Sequence, residues 1–102
     1  MKVIRAYADN KLENENIIYF FKSGSFYVAL NDDVLLLKRK GWELKVTALS
    51  NYDIKVAFPI SSKEKYEKML QQDSLNYKFI DEYEPINYCE AFLKEKNEKE
   101  VQ

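Results

Sequence analysis

A chain of 102 residues holds one domain of ordinary size, which excludes an enzyme built from separate cofactor and substrate domains. Its hydrophobic content of 46% and aromatic content of 15%, with two glycines and two prolines, supply a core and do not match the composition of a disordered chain. With 16 basic residues against 17 acidic ones the net charge is -1, so binding to nucleic acid or membrane requires a local patch rather than a global field.

Histidine is absent, and with it go the commonest general base, the usual zinc ligand and every Ser-His or Cys-His nucleophile pair. The expectation is a non-enzymatic protein with no cofactor and no small-molecule substrate. The single cysteine, Cys89, cannot close an internal disulfide, and no run of about 20 apolar residues is present to span a bilayer. Met1 to Asn10 carries charges and no apolar core, so no signal peptide is expected and a cytoplasmic location follows.

In chain order, Val3-Ile4-Arg5-Ala6-Tyr7 is compatible with an edge strand or one turn of helix, and an edge strand is the expectation. Ile17 to Phe21 and Phe26 to Leu30 are apolar, aromatic and β-branched runs broken by Lys22-Ser23-Gly24-Ser25, the pattern of a β-hairpin turning at Gly24. Asn31 offers an N-cap side chain to a short helix with Asp32 and Asp33 in its first turn and Lys38-Arg39-Lys40 in its last, before Gly41. Trp42 to Leu49 and Ile54 to Ile60 alternate on either side of Ser50-Asn51-Tyr52-Asp53, which predicts paired strands, with Pro59 placing the second one's end near a sheet edge.

Ser61-Ser62-Lys63-Glu64 has capping-box spacing, and Tyr66, Met69 and Leu70 share one face of the helix that follows. Tyr77 to Ile80 reads as a short strand. Pro85 suits the first position of a last helix, with Ile86, Cys89, Phe92 and Leu93 at helical spacing. The sum is an α+β (α/β) domain over residues 1–93, a mixed sheet of about five to six strands flanked by helices, with a charged tail over 94–102.

Phe20-Phe21-Lys22-Ser23-Gly24-Ser25-Phe26-Tyr27 followed by Asn31-Asp32-Asp33 resembles the opening of domain I of the DNA mismatch-repair MutS family, an aromatic strand, Gly-Asp-Phe-Tyr-Glu and an Asp-Asp-Ala helix start. Val56-Ala57-Phe58-Pro59-Ile60 through Lys65-Tyr66 and Leu70 is similar to that family's strand, proline and helix, and Tyr77 to Glu82 to its next strand. The resemblance covers Asn16 to Glu82 and implies a free-standing domain I or a fragment of the family. It implies binding of mismatched or distorted DNA beside a larger protein partner, with a phenylalanine entering the base stack from the minor groove; the matching position is Phe26.

The sequence also departs from the family. Val28 stands where the family has a glutamate that hydrogen-bonds the displaced base, and Ser25 stands where it has an aspartate. No Gly-x-x-x-x-Gly-Lys-[Ser/Thr] phosphate loop occurs, so ATP use is not implied. A protein-interaction domain that kept this fold and lost mismatch reading is the alternative, favoured by Val28 and the charge of -1.

The candidate DNA-binding residues are therefore Phe26, Lys22, Lys38, Arg39 and Lys40, with Lys45 as an extension. Each has an ordinary structural explanation beside the functional one. Alternation sends one of Phe26 and Tyr27 inward and the other outward, and the family geometry favours Tyr27 as the core residue. Lys38 to Lys40 are what a helix dipole favours in a last turn, and Asp32 with Asp33 read as first-turn acids rather than as magnesium ligands. Cys89 reads as a small buried hydrophobe, and the eight tyrosines as core and boundary residues rather than base-stacking platforms.

Overall fold

The computed structural model describes residues 2–83. It has three helices and a five-stranded mixed sheet: α1 (Lys2–Glu13), β1 (Ile18–Ser23), β2 (Phe26–Leu30), α2 (Asp32–Arg39), β3 (Thr47–Ala48), β4 (Ile54–Pro59), a 3-10 turn (Ile60–Ser62), α3 (Lys63–Gln72) and β5 (Tyr77–Ile80). The spatial order is β3-β4-β2-β1-β5. All neighbours are antiparallel except β1 and β5, which run parallel because α3 carries the chain across the sheet between β4 and β5. This is the α+β class expected from the sequence. The expected last helix from Pro85, Cys89 and the 94–102 tail lie outside the described residues.

The hairpin forms where the aromatic runs break. Ser23 pairs with Phe26, so Gly24 and Ser25 are a two-residue loop, and Gly24 takes the positive φ of 60° that the first loop position of a tight hairpin turn requires. Alternation along the strands then makes two cores. Ile18, Phe20, Tyr27, Ala29, Val56 and Phe58 face α2 and α3, meeting Val34, Leu37, Trp42 and Leu70. Tyr19, Phe21, Val28 and Leu30 face α1, meeting Val3, Ala6 and Tyr7. The first core is an aromatic cluster, with Phe58 stacked on Tyr66 at 4.4 Å between ring centroids and Phe20 on Phe79 at 5.0 Å.

Four local expectations are corrected. Val3 to Tyr7 belongs to a helix, not an edge strand, because Val3, Ala6 and Tyr7 recur at helical spacing and are the residues α1 buries against the sheet. Trp42 to Leu49 is not a full strand: only Thr47–Ala48 pairs with β4, since Trp42 turns inward to stack on Phe20 while its N–H returns to the Leu37 carbonyl. Asn31 does not cap α2 with its side chain; at φ 50° it points away, accepting from the Ile54 N–H at 2.9 Å and donating to Asp53 Oδ1 at 2.9 Å. The Ser61–Glu64 capping box does not form, because Ile60–Ser62 is wound as a 3-10 turn that leads into α3 with no side-chain cap.

Pro59 ends β4 at a position that pairs with Phe26 on one side and lies beyond the two-residue β3 on the other, so its missing N–H leaves no ladder bond unmade there.

Candidate nucleic-acid interface

Strand β2 positions the central residue. Phe26 is its first residue and is 48% exposed, whereas Tyr27, Val28, Ala29 and Leu30 are all buried. Tyr27 is the inward member of the pair, and Phe26 the outward one. Across the ladder Phe26 stands beside Pro59, also exposed, and Ser25 accepts the Ile60 N–H at 2.9 Å, which fixes the hairpin end to the start of the 3-10 turn. The result is an apolar ridge of one aromatic ring and one proline at the hairpin end of the sheet. Burying what remains exposed of a phenylalanine is worth on the order of 1 kcal/mol, enough to matter in a contact and too little to destabilise the free domain.

The five sequence candidates do not form one patch around that ring. Phe26 shares its face with Val28 and Leu30, the α1 side. Lys22 pairs with Tyr27 and therefore projects on the opposite side, next to the aromatic core that α3 covers. Lys38, Arg39 and Lys40 are exposed at the end of α2, which packs on that same opposite side. The Lys38 ammonium donates to the Leu44 carbonyl, closing the segment after the helix, so its charge has a structural use besides the dipole.

Val28 is 3% exposed and packed with Val3, Tyr7 and Phe21 beneath α1. The position two residues beyond Phe26 is thus part of the core, and no polar side chain there reaches the surface.

Lys63 is a residue the sequence reading did not select. Its ammonium lies 4.7 Å from the Phe79 ring centroid and 5.7 Å from that of Tyr27, on the same side of the sheet as Lys22. The signal available in the sequence was the placing of a lysine in the first turn of α3, where a cation opposes the helix dipole; the capping-box pattern drew attention to Ser61 and Glu64 instead. Next to it the Tyr27 hydroxyl donates to Asp81 Oδ1 at 2.7 Å, and burial together with that carboxylate pushes the phenol up to about 12.

Away from this end, Asp33 is the buried charged residue among those described. Its carboxylate accepts the Tyr19 N–H at 3.0 Å and lies 2.5 Å from the Lys11 ammonium, with side chains 2% and 17% exposed. Lys11 also donates to the carbonyls of Glu15 at 2.9 Å and Ile17 at 2.6 Å. Burial raises the Asp33 carboxyl above its ordinary range against the opposing pull of Lys11 and the Tyr19 N–H. Asp32 is exposed, as a first-turn acid should be.

Two open concavities of about 520 and 490 Å³ lie near the start of β1, one bordered by Asn14, Ile17 and Tyr77, the other by Tyr7, Lys11 and Asp32. Among the described residues no group of three or more His, Cys, Asp or Glu side chains converges on a metal site, and no helix is long and apolar enough to cross a membrane. No protein-family model and no curated protein matches the chain.

Proposed function

We propose that this domain is a non-catalytic nucleic-acid-binding module, resembling the mismatch-recognition domain of MutS, that engages mismatched or distorted DNA beside a larger partner. The observation that carries the reading is the outward Phe26 on its proline-backed hairpin end. An apolar side chain held on a strand paired on both sides can enter a base step, and a mispaired or kinked step costs less to open than a stacked one. From the opposite side of the sheet Lys22, Arg39 and Lys40 supply the phosphate contacts, with Lys38 a weaker contributor because its ammonium is bound to Leu44.

The burial of Val28 shapes the specificity expected. With no hydrogen-bonding side chain beside the wedge, the preference for a mismatch rests on deformability alone and is modest. The same observation favours a second reading, in which the fold is kept as a protein-interaction module and DNA reading is lost.

Fluorescence anisotropy of a labelled G·T-mismatched duplex and its matched twin, titrated at several salt concentrations, tests the first reading. Binding should fall with salt, and Phe26→Ala should weaken binding to the mismatched duplex about tenfold, the equivalent of about 1.4 kcal/mol. Phe26→Ala should unfold at the same denaturant concentration as the native protein. Absence of binding at the lowest salt rejects the DNA reading and leaves the protein-interaction one.

A further inference from the structure

Resting on the nucleic-acid reading, we infer that Lys22 and Lys63 form a phosphate-binding pair flanking Tyr27, so that the hairpin end presents Phe26 on one side of the sheet and two backbone-neutralising cations on the other. Three observations carry this. The β1–β2 register sets Lys22 directly across from Tyr27, and the Lys63 ammonium stands over the rings of Tyr27 and Phe79, so both lysines border Tyr27 on one side of the sheet although they come from distant parts of the chain.

Neither ammonium is engaged in an ion pair with a carboxylate of the described residues, a freedom they share with most lysines here, the ion-paired ones being Lys11 with Asp33 and Lys68 with Glu64 at 3.9 Å; what sets Lys63 apart is the ring contact that holds it. Two acids act on the Tyr27 phenol, and each is held by a tyrosine hydroxyl: Asp81 by that of Tyr27 and Glu67 by that of Tyr77. A ring beneath a lysine fixes its position while leaving its charge unneutralised, which is the condition a phosphate contact needs.

The third observation is the placing of charge along the helices. Helix α2 has Asp32 and Asp33 in its first turn and Lys38 and Arg39 in its last, the order its dipole favours. Helix α3 has Lys63 and Lys65 on either side of Glu64 in its first turn and no basic residue in its last. The α3 dipole disfavours the Lys63 charge and the two rings offset that cost, which leaves a positioned cation beside the exposed Lys22 that an anion can bridge. Phe26 and Tyr27 are consecutive, so their side chains point to opposite sides of the sheet. A duplex that takes Phe26 against its base edges passes a phosphate strand around the hairpin end to the two lysines.

The test compares salt slopes for the mismatched duplex between native protein, Lys22→Gln/Lys63→Gln and Lys63→Arg. Each lost phosphate contact removes about 0.9 from the slope of log K against log salt, so the double variant should be shallower by about 1.8, with the mismatch-to-matched ratio unchanged. Lys63→Arg, which keeps charge and ring contact, should retain the native slope. Lys22→Gln alone alters only an exposed side chain and should be shallower by about 0.9 even where loss of the Lys63 ring contact unfolds the double variant. A folded double variant, or Lys22→Gln, with the native slope overturns the pair while leaving the DNA reading intact. A native protein that binds no DNA overturns both.

Discussion

The two ends of β2 are built on opposite plans. At the Leu30 end the strand runs into a dense set of polar ties: Asn31 bridges to Asp53 and Ile54, Asp33 holds the Tyr19 N–H, and Lys11 reaches Asp33 from α1. At the Phe26 end an aromatic ring and a proline stand open, two lysines lack ion-pair partners among the described residues, and the strand's one side-chain tie there is Tyr27 to Asp81. Buried polar groups must be satisfied or they destabilise, so the first end reads as the fold's own requirement. The Leu30 end has exposed groups too, Tyr52 at 91% and Lys55 across from Leu30 with no ion pair among the described residues, so what marks the hairpin as the candidate site is the placing together of an outward ring, Lys22 and a ring-held Lys63.

The sharpest way to break the comparison is to cut the Leu30 end at Asp33. Asp33→Ala leaves the Tyr19 N–H without an acceptor and the Lys11 ammonium without its anion. Breaking a buried pair costs about 3–5 kcal/mol, and the lower end applies here because Lys11 keeps the Glu15 and Ile17 carbonyls. Urea denaturation should show a loss of about 3 kcal/mol, while DNA affinity of the folded fraction stays native. A loss under about 1 kcal/mol would mean that this end does not carry the stability assigned to it.

Asn31 comes next. Its φ of 50° is a conformation that L-residues adopt at a cost, sustained here by two hydrogen bonds from the side chain and one from its own N–H to the Ile54 carbonyl at 3.0 Å. Asn31→Ala keeps the strain and loses both side-chain bonds, an expected cost of about 2 kcal/mol at about 1 kcal/mol per bond. Asn31→Gly loses the same bonds but relieves the backbone, and should cost less than half as much. Thermal melts of the two variants check this, and equal losses would show that the backbone is not strained at this residue.

These ties explain what was legible in the sequence and what was not. The hairpin, α2, β4 and β5 follow from local signals, namely aromatic and β-branched runs, a glycine at the turn and charges placed along a helix dipole. Asn31 and Asp33 carried local signals too, a cap and a first-turn acid, but their partners lie 14 to 23 residues away along the chain, and long-range pairing overrode the local use of Asn31. The same competition turned Trp42 out of the expected strand and into the aromatic core. For α1 the β-branched pair Val3-Ile4 suggested a strand, while the 3-6-7 spacing of Val3, Ala6 and Tyr7 carried the helix. Of the candidate site, Phe26 was placed by alternation to within one alternative, which the burial of Tyr27 resolves; Lys63 showed only as a lysine against the α3 dipole, and nothing local links it to Tyr27 and Phe79.

The open end can be tested at its own tie. The Tyr27 phenol is raised from its ordinary 10.0 to about 12, first by burial and then by its hydrogen bond and proximity to Asp81. The fold therefore favours the neutral phenol: that contribution is fully present below pH 10 and is lost as the pH rises through about 12. Tyr27→Phe removes the bond to Asp81 while keeping the ring against Phe79 at 4.8 Å between centroids, so it should cost about 1 kcal/mol at neutral pH. Several tyrosines are raised by burial in this fold, so the assignment comes from a difference: the phenolate absorbance of native protein minus that of Tyr27→Phe should show one group titrating near 12. A difference centred on 10 would mean that Tyr27 is neither sealed nor bonded to Asp81. Asp81 would then be available to Lys22 and Lys63, and the pair of cations inferred at this end of β2 would be neutralised.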